Sequence, residues 1–198
     1  IQRLLETRGL TPAKSTVIMN AVDESIFASA VASAAAADAA ADAGATRGKF
    51  VMMYHGTLTR IYGLDIAITA LGLVQNEMPD SELWILGDGP DRDLLEALAR
   101  EHGLESRVKF LGSVLPDEVP AWLSQCDIGV LATRRDVFLD YSFSNKLSEY
   151  IIMGKAVISS RLNAIRHYFR EDAFAFFEPN DARSLSEQML RLYRDKLN

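Results

Sequence analysis

The strongest constraint on the fold is a regular alternation of apolar strand segments and helical segments from Lys49 onward. The strand segments are nearly continuous in apolar residues, which is typical of strands buried on both faces. They are KFVMMYHG, SELWILGDG, RVKFLG, DIGVLAT, KAVISS and AFAFFEP. Because parallel strands need helical crossovers, the alternation predicts an α/β fold: a Rossmann-like, doubly wound parallel sheet with helices on both faces.

Segments with helical periodicity fill the intervals between these strands. They are YGLDIAITALGLVQNEM, PDRDLLEALAREHG, PDEVPAWLSQ, NKLSEYIIMG and AIRHYFRE, with DARSLSEQMLRLYRDKL closing the chain. In a doubly wound sheet, ligands bind beyond the carboxyl ends of the strands, where helix N-termini offer unpaired N–H groups to anions. We therefore look for chemistry in the strand-to-helix loops, which are HGTLTRIYG, GDGPDRD, GSVLPDE and TRRDVFLDYSFSNK.

The first 48 residues have a different character. Residues 16–23, TVIMNAVD, predict a short strand or an extended link. Residues 28–44, ASAVASAAAADAAADAG, lack large side chains, so we expect a mobile connector or a weakly held helix rather than core. The chain does not begin with methionine and opens in what resembles the end of a helix, so we expect a fragment of a longer protein.

Charge and composition limit the classes of function. The formal net charge of −6 argues against nucleic acid as the main partner. No run approaches the roughly 20 apolar residues of a membrane span, so we expect no integral membrane segment. The single cysteine, Cys126, excludes an internal disulfide and a cysteine-rich zinc site. We interpret it as a buried thiol and expect a reducing, cytoplasmic setting.

The GDGP segment ends a strand and opens a helix. Gly87 and Gly89 permit close backbone approach, and Pro90 suits a first helical turn. Arg92 stands where a dinucleotide fingerprint would have its third glycine, which disfavours that motif. A capped tight turn and a ligand-binding loop both remain open.

In YHGTLTRIYG, Gly56 follows the strand and Arg60 is the only basic side chain. An arginine there could hold a diphosphate through its planar fork, or it could be a solvated surface residue. His55 is interpreted as a packed histidine at the end of the strand.

The longest loop, TRRDVFLDYSFSN, carries Arg134, Arg135, Asp136 and Asp140. A loop of this length between a strand and a helix is more often functional than idle. The alternative is that its charges pair with one another in solvent.

The helix NKLSEYIIMG places Lys146 and Glu149 at positions i and i+3, on one face near its N-terminus. A cation at that end opposes the helix dipole unless an anion binds there. The pair is therefore either a phosphate-linked site or a surface ion pair worth about 0.3 kcal/mol.

In order, these segments resemble the C-terminal, nucleotide-sugar-binding half of GT-B glycosyltransferases of family 4. The family's runs G-R-L-x-x-x-K-G, G-x-G-P, V-x-F-x-G, A-D and E-x-x-x-G-x-P-V have counterparts here in the same order. The matching segments are GTLTRIYG, GDGPDRDLLEALAREHGLESRVKFLG, CDIGVLAT and NKLSEYIIMGKAVIS. Upstream, VIMNAVDESIF is similar to the family's interdomain link, so the resemblance spans roughly Thr16 to Tyr193.

The resemblance implies a domain division and a set of partners. Residues 1–48 would be the end of an N-terminal domain and the interdomain link, and residues 49–198 the Rossmann-like donor domain. The donor would be a nucleotide-diphosphate sugar, and the acceptor a glycan, lipid or small molecule bound through the N-terminal domain. The isolated fragment should bind donor without completing transfer. N-K-L-x-E-Y is common in bacterial relatives, so we expect a bacterial, cytoplasmic protein that is peripheral to a membrane in its longer form.

The resemblance also implies roles for residues. Glu149 matches the second glutamate of the family's E-x7-E motif, a ribose ligand, whereas Tyr141 stands where the first glutamate would be. Asp140 or Asp136 are the candidate replacements, and they are the only catalytic candidates. The family's arginine and lysine in the first loop fall on Thr57 and Tyr62.

The basic side chains available for the diphosphate are then Arg60 and Lys146, beside Gly56. The nucleotide and its ribose would be bound by Glu149, Gly87, Gly89, Pro90 and Leu147.

The implied reaction is sugar transfer with retention of the anomeric configuration. No Asp-x-Asp metal motif stands at a strand end, so we expect no metal and no other cofactor. Two alternatives stay open: sugar-nucleotide 2-epimerisation on the same fold, and a non-catalytic Rossmann-like binding or assembly module.

Overall fold

A single parallel sheet forms the centre of the computed structural model, which describes residues 5–16, 18–41 and 48–197. Its strands are β1 Phe50–His55, β2 Ser81–Leu86, β3 Val108–Gly112, β4 Ile128–Leu131, β5 Ala156–Ser160 and β6 Ala175–Phe177. They lie in the order β3-β2-β1-β4-β5-β6, and every adjacent pair is parallel. The predicted doubly wound, Rossmann-like α/β fold is confirmed.

Helices connect and cover these strands. They are α1 Glu24–Ala41, α2 Leu64–Val74, α3 Arg92–Glu101, α4 Val119–Gln125, α5 Asn145–Ile152, α6 Asn163–Tyr168 and α7 Ala182–Leu197. Short 3-10 turns occupy Pro12–Lys14, Arg60–Tyr62, Pro116–Glu118 and Leu139–Tyr141. Within the described part of the chain, no helix combines the length and the apolar character needed to cross a membrane.

Strand β1 organises the sheet because the strand order reverses beside it. All six of its residues are buried, and it pairs with β2 along its whole length, from Phe50 opposite Ser81 to His55 opposite Leu86. On its other side it pairs with β4, where Met52 lies opposite Ile128. The loops after β1 and β4 therefore diverge to opposite faces and leave a crevice at the carboxyl edge, where a doubly wound sheet binds ligands.

Side chains of β1 alternate between two hydrophobic clusters, one on each face of the sheet. Met52 and Tyr54 belong to the larger cluster, which includes residues of α2 and α7. Met53 belongs to the second cluster, together with Leu147 and Tyr150 of α5. Helix α5 is thus fixed to the sheet directly beside the crevice.

The N-terminal segment differs in part from its prediction. Residues 16 and 18–23 form no strand, which leaves the extended-link alternative, and α1 starts at Glu24 because the Asp23 carboxylate accepts the Ser25 N–H at 3.0 Å. Of the two alternatives for residues 28–44, the structure has the helix as far as Ala41, because α1 covers this part; Phe27, just before it, is buried in the second cluster. Residues 42–44 lie outside the described residues.

Candidate functional site

The loops after β1 and β2 lie against each other through their backbones. The N–H of Gly56 donates to the carbonyl of Leu86 at 2.8 Å, and that of Leu58 donates to Asp88 at 3.0 Å. Gly87 has φ +141°, and a Cβ built on it would overlap the Gly56 carbonyl oxygen. The two loops therefore approach so closely that a side chain at Gly87 cannot be accommodated.

Gly89 and Pro90 continue this close packing. A Cβ at Gly89 would overlap the backbone of Leu58, whose carbonyl also accepts the Asp91 N–H at 3.1 Å. Pro90 lies in a turn before α3, so the prediction that it occupies the first helical turn is wrong; the helix starts at Arg92. The tight-turn interpretation of this segment is confirmed, and nucleotide binding by Gly87, Gly89 and Pro90 stays a prediction.

A cavity of about 270 Å³ opens at the carboxyl ends of β1, β2 and β3. Its volume is close to the lower end of the range for small-molecule sites. The lining residues are His55, Gly56, Thr57, Leu86, Gly87, Asp88, Ser113, Val114 and Val119. The predicted residues Gly56 and Gly87 are among them.

Lys146, the second residue of α5, extends over the first loop. A Cβ at Gly56 would overlap its Cε, so the glycine makes room for the lysine stem. The Nζ atom lies 4.3 Å from the ring centroid of Tyr62 and 5.6 Å from that of Tyr54. Desolvation by burial lowers the pKa of Lys146, and the charge of Glu149 opposes that effect. The ammonium group is thus held against two aromatic faces.

Glu149 does not pair with Lys146. Its Oε2 is hydrogen-bonded to Nε2 of His55, and no described carboxylate forms an ion pair with Lys146. The other nitrogen of His55, Nδ1, lies 3.0 Å from the hydroxyl of Tyr150, and that hydroxyl donates to the Met53 carbonyl at 2.7 Å. The surface-ion-pair interpretation of Lys146 and Glu149 is therefore wrong, because each side chain has different neighbours.

Two further candidate binding residues, Leu147 and Arg60, have side chains that form no hydrogen bond or ion pair with the other described site residues. The side chain of Leu147 is fully buried in the second hydrophobic cluster, so only its backbone could meet a nucleotide. Arg60 is exposed in the first loop, and its side chain makes no hydrogen bond or ion pair with another described residue. Its carbonyl accepts N–H groups from Gly63 and Arg134.

The two candidate catalytic carboxylates support local backbone. Asp136 accepts the N–H groups of Phe138 at 2.8 Å and Leu139 at 2.7 Å through one oxygen. Asp140 is buried, and it accepts the backbone N–H of Asn163 at 3.0 Å and also the side-chain amide of that residue. Asp140 thus caps α6. A catalytic role for either aspartate stays a prediction.

The arginines of the same loop are also engaged. Arg134 forms an ion pair with Asp65 and donates to the carbonyl of Arg60 at 3.1 Å. Arg135 donates to the carbonyl of Arg161 and lies 3.5 Å from Asp140. The interpretation that this loop's charges pair with one another holds for Arg135 and Asp140, whereas Arg134 pairs with α2.

Several site residues were not singled out from the sequence. The prediction of a packed histidine at position 55 is confirmed, yet its link to Glu149 was missed. Tyr62 and Tyr150 were also missed as neighbours of Lys146 and His55. Tyr62 lies in a strand-to-helix loop and Tyr150 directly follows Glu149. Neither position predicts more than packing in the core.

Side chains that commonly bind metals are dispersed. Among the residues that the structure describes, no three or more His, Cys, Asp or Glu side chains are grouped to hold a metal ion. Metal-independent chemistry stays a prediction.

Comparison with known protein families decides the family. The profile described as "Glycosyl transferases group 1" matches residues 49–195. The chain belongs to the group 1 glycosyltransferases. The match begins where the regular alternation of strands and helices begins.

Individual relatives of this chain are distant. The chain is 28% identical over 121 residues to the lipopolysaccharide core biosynthesis glycosyltransferase LpsE of Rhizobium meliloti, covering 61% of this chain and 32% of that protein. It is 23% identical over 147 residues to the N-acetyl-alpha-D-glucosaminyl L-malate synthase of Bacillus anthracis, covering 74% and 36%. The chain thus spans about a third of the length of these relatives.

Two solved structures share the fold. Anabaena Alr3699/HepE in complex with UDP superposes with a TM-score of 0.74 at 20% identity, covering 100% of this chain and 52% of that one. WaaG, a glycosyltransferase involved in lipopolysaccharide biosynthesis, gives a TM-score of 0.73 at 16% identity, covering 94% and 49%. The present chain therefore corresponds to about half of each.

Proposed function

We propose that this chain is the C-terminal, donor-binding half of a family 4 GT-B glycosyltransferase and that it binds a nucleotide-diphosphate sugar. One observation carries the proposal. At the crevice beside β1, Lys146 has no acidic partner among the described residues. Glu149, three residues after it on the same helix, is held by a hydrogen bond to His55. A cation without a counter-ion and an oriented carboxylate together suit the phosphates and the ribose hydroxyls of a nucleotide.

The diphosphate binds at the N-terminus of α5. Lys146 sits in the first turn of that helix, where unpaired N–H groups and the helix dipole also favour an anion. The positive end of the α5 dipole and the Lys146 ammonium then attract the same diphosphate oxygens. Burial penalises the charged form of this lysine, and an arriving diphosphate offsets that penalty. Arg60, exposed in the first loop, adds long-range attraction.

The nucleoside binds between Glu149 and the cavity at the ends of β1, β2 and β3. His55 borders both, because it lines the cavity and is bonded to Glu149. Ribose hydroxyls donate to the Glu149 carboxylate, and the base enters the cavity beside Gly87. Support comes from HepE, which has been crystallised with UDP and with UDP-glucose.

In the longer protein, the reaction is transfer of the sugar with retention of configuration to a glycan, lipid or small molecule. The acceptor is bound by a preceding domain, and residues 1–48 include the link to it. Charge develops on the leaving diphosphate, and Lys146 with the α5 N–H groups stabilises it, so that no metal is required. Asp136 and Asp140 remain candidates for holding the donor sugar.

Two other functions are less well supported. A 2-epimerase would need further acidic and histidine side chains at the crevice. Besides Asp88, the described crevice offers His55 and Glu149, which are bonded to each other. A non-catalytic module whose loops are surface only does not account for a lysine buried against two tyrosines at a helix N-terminus. We propose a cytoplasmic, bacterial enzyme that is peripheral to a membrane in its longer form, and we expect no turnover from the isolated chain.

Calorimetric titration of this chain with UDP, GDP and their sugar conjugates tests the proposal. We expect binding, and we expect Lys146→Ala and Glu149→Gln each to weaken it by about tenfold or more with an unchanged melting temperature, since glutamine still offers His55 an acceptor. Lys155→Ala is the matched control, because Lys155 follows α5 at its other end and donates to the Ser124 carbonyl at 3.0 Å. Absence of binding up to millimolar concentrations would contradict the proposal and favour the non-catalytic module.

A further inference from the structure

His55 is placed to control the direction of the Glu149 carboxylate. It is the last residue of β1, is only 6% exposed, and has a hydrogen-bonding partner on each ring nitrogen. Its ring meets that of Tyr150 edge to face, with centroids 5.0 Å apart. The ring therefore has little freedom to rotate, and the Nε2 atom points at Glu149 from a fixed position.

The partners define which atom donates. The Glu149 carboxylate is an acceptor when ionised, so a hydrogen bond from His55 requires a proton on Nε2. At Nδ1, the Tyr150 hydroxyl oxygen can accept an N–H while its single proton goes to the Met53 carbonyl; it can donate to a bare Nδ1 only by releasing that carbonyl. Either arrangement leaves Nε2–H directed at the carboxylate, and both bonds of the Tyr150 hydroxyl form together only when Nδ1 is the donor.

This bond leaves part of Glu149 available. Only Oε2 is bonded to His55, the side chain is 22% exposed, and no described donor is hydrogen-bonded to Oε1. A glutamate side chain on a helix surface would otherwise populate several rotamers or turn toward Lys146. The link between β1 and α5 selects one direction and keeps the carboxylate apart from the lysine.

We propose that His55 is a positioning residue that holds Glu149 toward the ribose hydroxyls of the bound nucleotide. The inference rests on the proposed function, because Glu149 must be the ribose ligand for its direction to matter. His55 does not touch the diphosphate in this account. It contributes through the 2′- and 3′-hydroxyl contacts and leaves the Lys146 contacts unchanged.

The experiment compares ribonucleotides with analogues that lack both hydroxyls. UDP and GDP are each titrated calorimetrically against this chain, and each is paired with its 2′,3′-dideoxy diphosphate. We expect the unaltered chain to prefer the ribonucleotide by about tenfold, as for loss of hydrogen bonds to a charged group. In His55→Asn, which lacks a donor at the Nε2 position, that preference should fall to about twofold, with affinity for the dideoxy analogue unchanged.

Two further variants separate positioning from folding. In His55→Gln, the amide nitrogen can take the place of Nε2, so most of the preference should return. His102→Asn is the matched control, since that histidine lies at the end of α3, away from the crevice. Glu149→Gln should lose the preference by itself, and adding His55→Asn to it should change nothing more.

The outcomes are distinct. If His55→Asn keeps the full preference for the ribonucleotide, or if it weakens ribo and dideoxy forms equally, the positioning role is overturned while nucleotide binding stands. If the unaltered chain binds both forms equally, Glu149 is not a ribose ligand and the inference fails. If neither UDP nor GDP binds, the proposed function fails and the inference fails with it. Should His55→Asn not fold, the ratio measured for His55→Gln and Tyr150→Phe decides, because positioning predicts a retained preference in the first and a reduced one in the second.

Discussion

The loop after β1 and the loop after β4 flank the same crevice and use their charges in opposite ways. Around the first, residues 56–63, Lys146 has aromatic neighbours and no described acidic partner, and Arg60 is exposed. In the second, residues 132–144, the carboxylates of Asp136 and Asp140 accept backbone N–H groups, and both arginines form ion pairs. The second loop holds more charge, yet less of it is available to a ligand.

The difference shows that available hydrogen-bonding capacity, rather than the number of charged residues, distinguishes the two sides. Charged groups in folded proteins are usually paired, so a half-buried cation without a counter-ion indicates a ligand. We therefore propose the β1 side, with α5, as the anion-binding side. The β4 side shapes the crevice and links β4 to α2 and α6.

Gly87→Ala should lower stability more than any other substitution considered, because the β1 side of the crevice depends on two loops in backbone contact. The new Cβ would overlap the Gly56 carbonyl at a φ of +141°. We expect the free energy of unfolding, measured in urea, to fall by at least about 3 kcal/mol. Gly103→Ala is the control, since Gly103 also has positive φ but open space around it. Equal losses in the two variants would contradict the close approach of the loops.

Asp140→Ala tests whether the loop after β4 supports the fold and does not contact the donor. Removal of the cap on α6 and of the Arg135 pair should lower the free energy of unfolding by about 1–2 kcal/mol. The ratio of the affinities for UDP-glucose and UDP, measured by calorimetry, should stay unchanged. A ratio that falls by tenfold in a stable variant would show that Asp140 contacts the donor sugar, and the comparison would then be wrong.

Lys146→Met should raise stability while abolishing tight binding. Burial lowers the pKa of Lys146 below its usual 10.5, so the charged form opposes folding whenever the pH is below the folded-state pKa. The stability gained by methionine should be less than about 1 kcal/mol near neutral pH. It should shrink as the pH rises through the folded-state pKa toward 10.5, where the lysine is neutral in both states. Urea unfolding between pH 7 and 10 measures this; a difference in stability that stays constant over this range would show that burial does not lower the pKa of Lys146.

Arg60→Ala should have the smallest effect. The side chain is exposed and has no described partner, so stability should change by less than about 0.5 kcal/mol. UDP affinity should fall by about threefold at low salt and less at high salt, as expected for screened attraction. Loss of affinity by tenfold or more at high salt would show that Arg60 binds the diphosphate directly.

Much of the fold could be predicted from the sequence because its signals are local. Apolar runs of strand length, helices with matched periodicity and short connections leave few arrangements other than a doubly wound sheet. Helix α1 was predicted only as one of two alternatives. The alanines of residues 28–44 offered no anchor, and Phe27, which is buried against the sheet, lies one residue before that segment.

The candidate site was only partly predictable because its contacts are long-range. Lys146 and Glu149 were found from their spacing on one helix and from the resemblance, and Gly56 and Gly87 from their place after strands. The bond from His55 to Glu149 joins residues far apart in sequence, and it depends on how α5 packs against β1. The pairing of Asp140 with α6 was hidden for the same reason.

A crystal structure of this chain with UDP tests the central claim most directly. We predict the diphosphate at the N-terminus of α5 with an oxygen within hydrogen-bonding distance of Lys146 Nζ, and the ribose hydroxyls on the Glu149 carboxylate beside His55. Density for UDP at Arg134 and Arg135, with Lys146 and Glu149 uncontacted, would contradict the account.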